Sequence, residues 1–171
     1  MSEQTTLSDT IETALGSAVV SHLQFRDELT MVTDREHIVE VLRILKDQQQ
    51  FNMLTDETCV DYYPKSPRFG IIYQLYSLAR NIRLRIKVML GESDPTIPSV
   101  CAVYENANWY ERELYDLLGI QFTDHPDLRR IMMPPGWEGH PLRKEHPVKV
   151  EEVAFTFNRK RIDETKIYAG E

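Results

Sequence analysis

Between residues 18 and 90 the apolar positions repeat every second residue, then at helical spacing, then every second residue again. Ala18-Val19-Val20 and Leu29-Thr30-Met31-Val32 predict two short strands around the polar turn Arg26-Asp27-Glu28. Asp34 is the expected N-cap of a helix. That helix carries Ile38, Val41, Leu42 and Leu45 at the i, i+3, i+4, i+7 spacing of one apolar face. Such a face needs a sheet to cover. Residues 51–63 predict a third strand, ended by Pro64 and Pro67, and residues 71–78 a stronger one rich in Ile and Tyr. From Ile82 to Val88 the alternation is strict: Ile82, Leu84, Ile86 and Val88 take one face, Arg83, Arg85 and Lys87 the other. Arg80-Asn81 fits a tight hairpin between these strands, because Asn tolerates positive φ. Residues 91–98 read as a polar loop with two prolines. The predicted class is α+β: residues 1–98 form a small mostly antiparallel sheet with a helix packed on one face.

The pattern changes at Ser99. Ser99 is placed as the cap of a short helix reaching about Glu105, and a second, charged helix spans 108–118 and stops at Gly119. Pro126, Pro134, Pro135, Pro141 and Pro147 then forbid long regular structure. Residues 120–150 are therefore expected to be an extended, Pro-rich C-terminal arm. The division is 1–98 for the α+β domain, 99–150 for the charged helix and arm, and 151–171 for a polar tail, with one added strand near 150–157.

Composition narrows the function. A chain of 171 residues can hold one domain with a real core plus a tail. Its 42% hydrophobic and 27% charged residues are those of an ordinary globular protein, so no special class is called for. A formal net charge of −7 argues against nucleic-acid binding, which needs a basic surface. No apolar stretch is long enough to span a bilayer, and the polar, acidic start is unlike a signal peptide. The two cysteines, Cys59 and Cys101, form no CxxC and fit reduced thiols in a cytoplasmic protein. Phosphate-binding loops, GxGxxG, GxSxG and iron–sulfur cysteine sets are all missing from the sequence.

The candidate chemistry is concentrated in one run, Trp109-Tyr110-Glu111-Arg112-Glu113-Leu114-Tyr115-Asp116. On a helix, Arg112 and Asp116 become i, i+4 partners. Trp109, Glu113 and Asp116 share a second stripe, and Tyr110, Leu114, Leu117 and Leu118 form the apolar seam. Three readings stay open. In the first, Glu111, Glu113 or Asp116 is a general acid or base with His125 or His140 as partner. In the second, His125, His140 and His146 join a carboxylate around a metal, although no HExxH spacing supports it. In the third, the charges fix the helix against the arm, and Trp109, Tyr110, Met132, Met133, Trp137, Arg129, Arg130 and Arg143 form a contact surface for another protein.

The runs Pro98-Ser99-Val100, Ala107-Asn108-Trp109-Tyr110-Glu111-Arg112-Glu113, Asp116-Leu117-Leu118-Gly119-Ile120, His125-Pro126-Asp127-Leu128-Arg129-Arg130-Ile131-Met132 and Gly139-His140-Pro141-Leu142-Arg143-Lys144 carry a resemblance. They resemble the signature of the C subunit, the 30 kDa subunit, of NADH:quinone oxidoreductase (respiratory complex I). The likeness extends over about residues 35–150. It implies a peripheral-arm subunit of a proton-translocating enzyme, with no catalytic residue and no cofactor of its own. FMN, the iron–sulfur clusters and quinone would lie in partner subunits. The implied partners are subunits D, B and I, and the implied place is the cytoplasmic side of the cell membrane, held there through the complex. Some bacteria fuse the C and D subunits; the length of this chain leads to the expectation of a separate C subunit. The resemblance implies architecture for Trp109, Glu111, Arg112, Glu113, Asp116, His125, Arg129, Arg130, His140, Arg143 and Lys144. Subunits of energy-converting hydrogenases and of ferredoxin-dependent quinone reductases share the motif and are the alternative.

Overall fold

The computed structural model describes residues 10–146 apart from 12, 27 and 135. The strand expected near 150–157 and the polar tail lie outside the described residues. Seven strands and two longer helices are described: β1 Val19–Phe25, β2 Glu28–Thr33, α1 Ile38–Asp47, β3 Met53–Asp61, β4 Phe69–Ser77, β5 Ile82–Leu90, β6 Thr96–Pro98, α2 Ala107–Leu118 and β7 Gln121–Thr123. The main sheet runs β1-β2-β5-β4-β3. All its pairings are antiparallel except β2 with β5, which is parallel. The fold is therefore α+β with a mostly antiparallel sheet, as the periodicity predicts.

Local rules explain most of the elements. The β1–β2 turn passes through Arg26 at φ 48, and the β4–β5 turn through Asn81 at φ 54, the left-handed region Asn tolerates. The buried residues of α1 are Ile38, Val41, Leu42 and Leu45, the predicted stripe. They share one core with Leu29 and Met31 of β2, Ile71, Tyr73 and Leu75 of β4, and Leu84, Ile86 and Val88 of β5. The same cluster takes in Ala107, Leu114, Leu118 and Ile120, so the charged helix rests on the sheet's core.

Three local expectations are corrected. Asp34 does not cap α1: a turn intervenes, with the His37 amide donating to the Asp34 carbonyl at 3.3 Å, and His37 is the N-cap residue. Residues 91–98 are not wholly loop, since β6 pairs in parallel with β7. Ser99 starts no helix. Its hydroxyl accepts the Cys101 amide at 3.2 Å, and residues 101–106 pass through turns instead.

Candidate functional site

The charged helix α2 ends as its sequence demands. Gly119 takes φ 76, and its amide donates to the carbonyls of Leu114 and Tyr115. The face that α2 buries differs from the expected one. Ala107, Glu111, Leu114 and Leu118 line the buried stripe, so a carboxylate stands inside the apolar seam. Tyr110 and Leu117 are only half-buried. Asp116 is fully buried, whereas Trp109 is 62% exposed and Glu113 is exposed, so the stripe these three share is not uniformly buried. Nor do Arg112 and Asp116 pair. Arg112 Nε donates to the Arg129 carbonyl at 3.2 Å, and its guanidinium lies 5.1 Å from the Trp109 ring centroid.

Asp116 instead gathers the arm. Its Oδ2 accepts the consecutive amides of Ile131, Met132 and Met133 at 3.0, 2.7 and 2.8 Å. Arg130 Nη1 donates to Oδ1 at 2.7 Å and to the Asp116 carbonyl at 3.2 Å. Burial works against this carboxylate, but the amides and the guanidinium outweigh burial and hold its pKa below the ordinary value. Beyond it the arm folds back over the end of α2. His140 Nδ1 lies 3.0 Å from the Asp116 carbonyl, Arg143 Nε donates to the Leu118 carbonyl at 2.7 Å, and the Leu142 amide donates to the Leu117 carbonyl at 3.0 Å. Burial lowers the His140 pKa, so the ring is neutral at neutral pH.

A second anchor lies at the edge of the sheet. Arg68 is 2% exposed and bonds both oxygens of Asp61, at 3.0 and 2.8 Å. It also pairs with Glu92 at 2.6 Å and with Glu145 of the arm. Its guanidinium lies 5.0 and 4.8 Å from the ring centroids of Tyr63 and Phe69. The Lys144 amide donates to Asp61 Oδ2 at 3.1 Å; the contact at Lys144 is thus its backbone. Arg68 and Asp61 do not stand out in sequence, because their partners lie 24 and 77 residues from Arg68.

The third cluster is buried where α2 meets β3 and β4. Glu111 Oε1 accepts the Val100 amide at 2.6 Å, and Oε2 lies 3.6 Å from Cys101 Sγ and 3.8 Å from His125 Nε2. Glu57 of β3 and Tyr73 of β4 are cross-strand neighbours pointing into the same core. Neither Glu57 oxygen nor the Tyr73 hydroxyl makes a well-formed hydrogen bond among the described residues, and the two groups face each other as a long, weak pair. Burial, then the Glu111 charge, raises the Glu57 pKa well above the carboxylate range, and burial raises that of Glu111. The Cys101 thiol is pushed up to about 11 by burial. Glu57 escapes the sequence pattern because a bulge between Leu54 and Asp56 shifts the inward positions to Glu57, Cys59 and Asp61.

The ligand atoms of Cys101, Glu111 and His125 lie within 4.8 Å of one another. Their bonding does not suit a metal. His125 Nδ1 accepts the Asp127 amide at 3.0 Å, which leaves the ring proton on Nε2, aimed at the Asn108 carbonyl 3.4 Å away. The nitrogen nearest Glu111 therefore has no lone pair to offer, and three donors fall short of a closed structural site. The second open reading, a grouping of His125, His140 and His146, is not formed among the described residues. His125 and His140 approach α2 carbonyls eight residues apart, about 12 Å along the helix axis. The three carboxylates of the acid–base reading do not converge on one pocket among the described residues: Glu111 is enclosed, Asp116 is saturated and Glu113 faces solvent. The shallow groove lined by Glu28, Asp56, Gln74, Arg83 and Arg85 holds none of the three.

The outward side chains of α2 and the arm include large apolar and cationic groups beside the exposed acids Glu113, Asp127 and Glu138. Trp109, Met132 and Leu142 are 62, 66 and 58% exposed. Arg129 is also exposed, paired with Asp127 at 2.6 Å.

The chain is similar to proteins of known family. The model of the family described as respiratory-chain NADH dehydrogenase, 30 Kd subunit, matches residues 31–152. The C subunit of the NADH-quinone oxidoreductase of Geotalea uraniireducens (strain Rf4) is 49% identical over 133 residues, covering 78% of this chain and 81% of the relative. Its counterpart of the same name from Roseiflexus sp. (strain RS-1) is 42% identical over 171 residues, covering 99 and 98%. Among solved structures, the trypsin-resistant fragment (1-134) of Nqo5 superposes with a TM-score of 0.64 at 33% identity, covering 71% of this chain and 98% of that one. A chain of the archaeal membrane-bound sulfane sulfur reductase reaches a TM-score of 0.74 at 19% identity, covering 99 and 97%, a likeness of fold alone.

Proposed function

The chain belongs to the respiratory-chain NADH dehydrogenase 30 kDa subunit family, and from that premise we propose that it is a scaffolding subunit in the peripheral arm of a proton-translocating NADH:quinone oxidoreductase. In this reading it carries no cofactor and no catalytic residue. It holds together subunits D, B and I, the first supplying the quinone site and the others iron–sulfur clusters, on the cytoplasmic side of the membrane. No helix among the described residues is long and apolar enough to cross a membrane, so attachment would run through the complex.

The observation that carries the proposal is the division of labour in the arm. Its backbone amides are tied down by Asp116 and Asp61, and its Arg130 and Arg143 reach back to α2, while Trp109, Met132 and Leu142 stay outside. Internal bonding of an otherwise irregular segment fixes a surface in advance and lowers the ordering cost of association. Exposed Trp, Met and Arg are the side chains that dominate such contacts.

The test is purification of the tagged full chain from membranes in mild detergent. Co-purification of subunits D, B and I with NADH:quinone activity in the assembly supports the proposal. A chain that elutes alone, monodisperse and without partners from cells that respire on NADH overturns it.

A further inference from the structure

We infer that Glu57 and Glu111 hold a carboxyl proton between them at neutral pH, and that this proton locks α2, with the arm it carries, onto the sheet. The inference does not depend on the scaffold reading, since it concerns how the chain holds itself together.

The geometry begins with Glu57. It is 3% exposed, no well-formed hydrogen bond reaches either of its oxygens among the described residues, and the donor it faces is the Tyr73 phenol, a long, weak partner. An ionised carboxylate held by so weak a bond bears most of the cost of leaving water. The opposing group is Glu111 of α2, fully buried, so a second charge would be repelled as well as unsolvated. Two such groups titrate as a pair, and the proton belongs to both.

The surroundings offer no cation. From β3 itself, Asp56 adds a negative charge near Glu57. From β4 comes the Tyr73 phenol, whose own ionisation is opposed by burial and then by Glu57 and Glu111. From the turns before α2 come Ser99, the Val100 amide and the Cys101 thiol, all neutral. From the segment after β7 comes His125, which burial keeps neutral and whose ring already receives the Asp127 amide. Arg112 acts on His125 from the exposed side and makes no ion pair with either carboxyl among the described residues. Only a proton remains to neutralise one of the two acids.

The mechanical consequence follows from where the pair sits. Glu57 lies on β3, and Glu111 lies on the buried stripe of the helix that packs against β3. Asp116, five residues on, holds residues 130–133. Loss of the proton to solvent sets two carboxylates against each other across the helix–sheet seam. The seam opens, and the arm loses its platform.

Infrared spectroscopy and amide exchange on the full chain test this. The wild type at neutral pH should show the carbonyl stretch of a protonated carboxyl, and Glu57→Gln should weaken it, leaving only the part that burial of Glu111 alone sustains. The opening equilibrium of α2, from amide exchange corrected for intrinsic rates, should rise with pH in the wild type. Its limit is about tenfold per pH unit, the value for one proton held closed and released open. In Glu57→Gln the rise should be smaller and should end at lower pH, because Glu111 alone then carries it. A neutral-pH wild-type spectrum without the protonated carboxyl band overturns the inference, as does an equal pH slope in the two proteins. Should Glu57→Gln fail to fold, Glu111→Gln replaces it: a reduced slope supports the shared proton and an unchanged slope overturns it.

Discussion

Asp116 and Arg130 stand fourteen residues apart in sequence and 2.7 Å apart in space, and this pair turns an irregular segment into a defined surface. The guanidinium neutralises one carboxylate oxygen, while the other accepts three consecutive amides. Asp116→Ala strands those amides and leaves Arg130 without its charge partner. Breaking a buried pair costs about 3–5 kcal/mol. Arg130 keeps some solvent access, at 19% exposure, so the lower end applies. The expected result is a lowered denaturation midpoint, with trypsin cutting at Arg129 or Arg130 under conditions that spare the wild type.

Gly119 tests the same contact sterically. Its φ of 76 disfavours any side chain, and an added Cβ would lie 2.5 Å from His140 Nε2 and 2.6 Å from Arg143 Nη2. Gly16 supplies the control, with φ 56 and no atom within 4 Å of its Cβ position. Gly16→Ala should cost only the left-handed strain, about 1–2 kcal/mol. Gly119→Ala should cost clearly more and shift the histidine and arginine signals of the arm. Equal losses of stability in the two variants would contradict the close approach of the arm to α2.

The contrast between these two contacts marks what the sequence could convey. Gly119 after an apolar helix is a local signal, and it ends α2 where expected. The same holds for the α1 stripe and for Asn81 in the β4–β5 turn. Each depends on neighbours within a few residues. Arg112 and Asp116 had an equally local expectation, an i, i+4 pair, and it failed because both found better partners in the arm. A weak surface pair is readily displaced by a buried acceptor of three amides. The bulge at Leu54/Asp56 inverts the parity of β3 without any signal from Gly or Pro, which hid Glu57. The β6–β7 pairing joins three-residue strands separated by α2, too short to show a period of their own.

Arg68→Lys should behave as a severe substitution. Lys has a single ammonium and cannot reproduce the two-bond fork on Asp61 while also reaching Glu92 and Glu145. Hydrogen bonds from Arg68 hold the Asp61 pKa well below the usual range. A depressed carboxylate contributes stability that is full above its unfolded value of about 3.9 and is lost as pH falls through the folded value. Acid unfolding should therefore begin at higher pH in Arg68→Lys. Glu145→Gln, at a half-exposed position, should change stability by no more than about 1 kcal/mol. Urea titrations at neutral pH and below pH 4 separate the two variants.

Trp109 distinguishes stability from assembly. Its ring lies beneath the Arg112 guanidinium and is 62% exposed, so it contributes little to the chain's own core. Trp109→Ala should move the unfolding free energy by no more than about 0.5 kcal/mol, as surface substitutions do. If the outward face of α2 and the arm docks a partner, the same change removes a large aromatic anchor, and such anchors cost about 2 kcal/mol or more when truncated at an interface. The expected pattern is an unchanged melting curve for the isolated chain together with a fall in assembled complex recovered from membranes. Asp116→Ala should lower both. A Trp109→Ala chain that assembles at the wild-type level would place the docking surface elsewhere on the molecule.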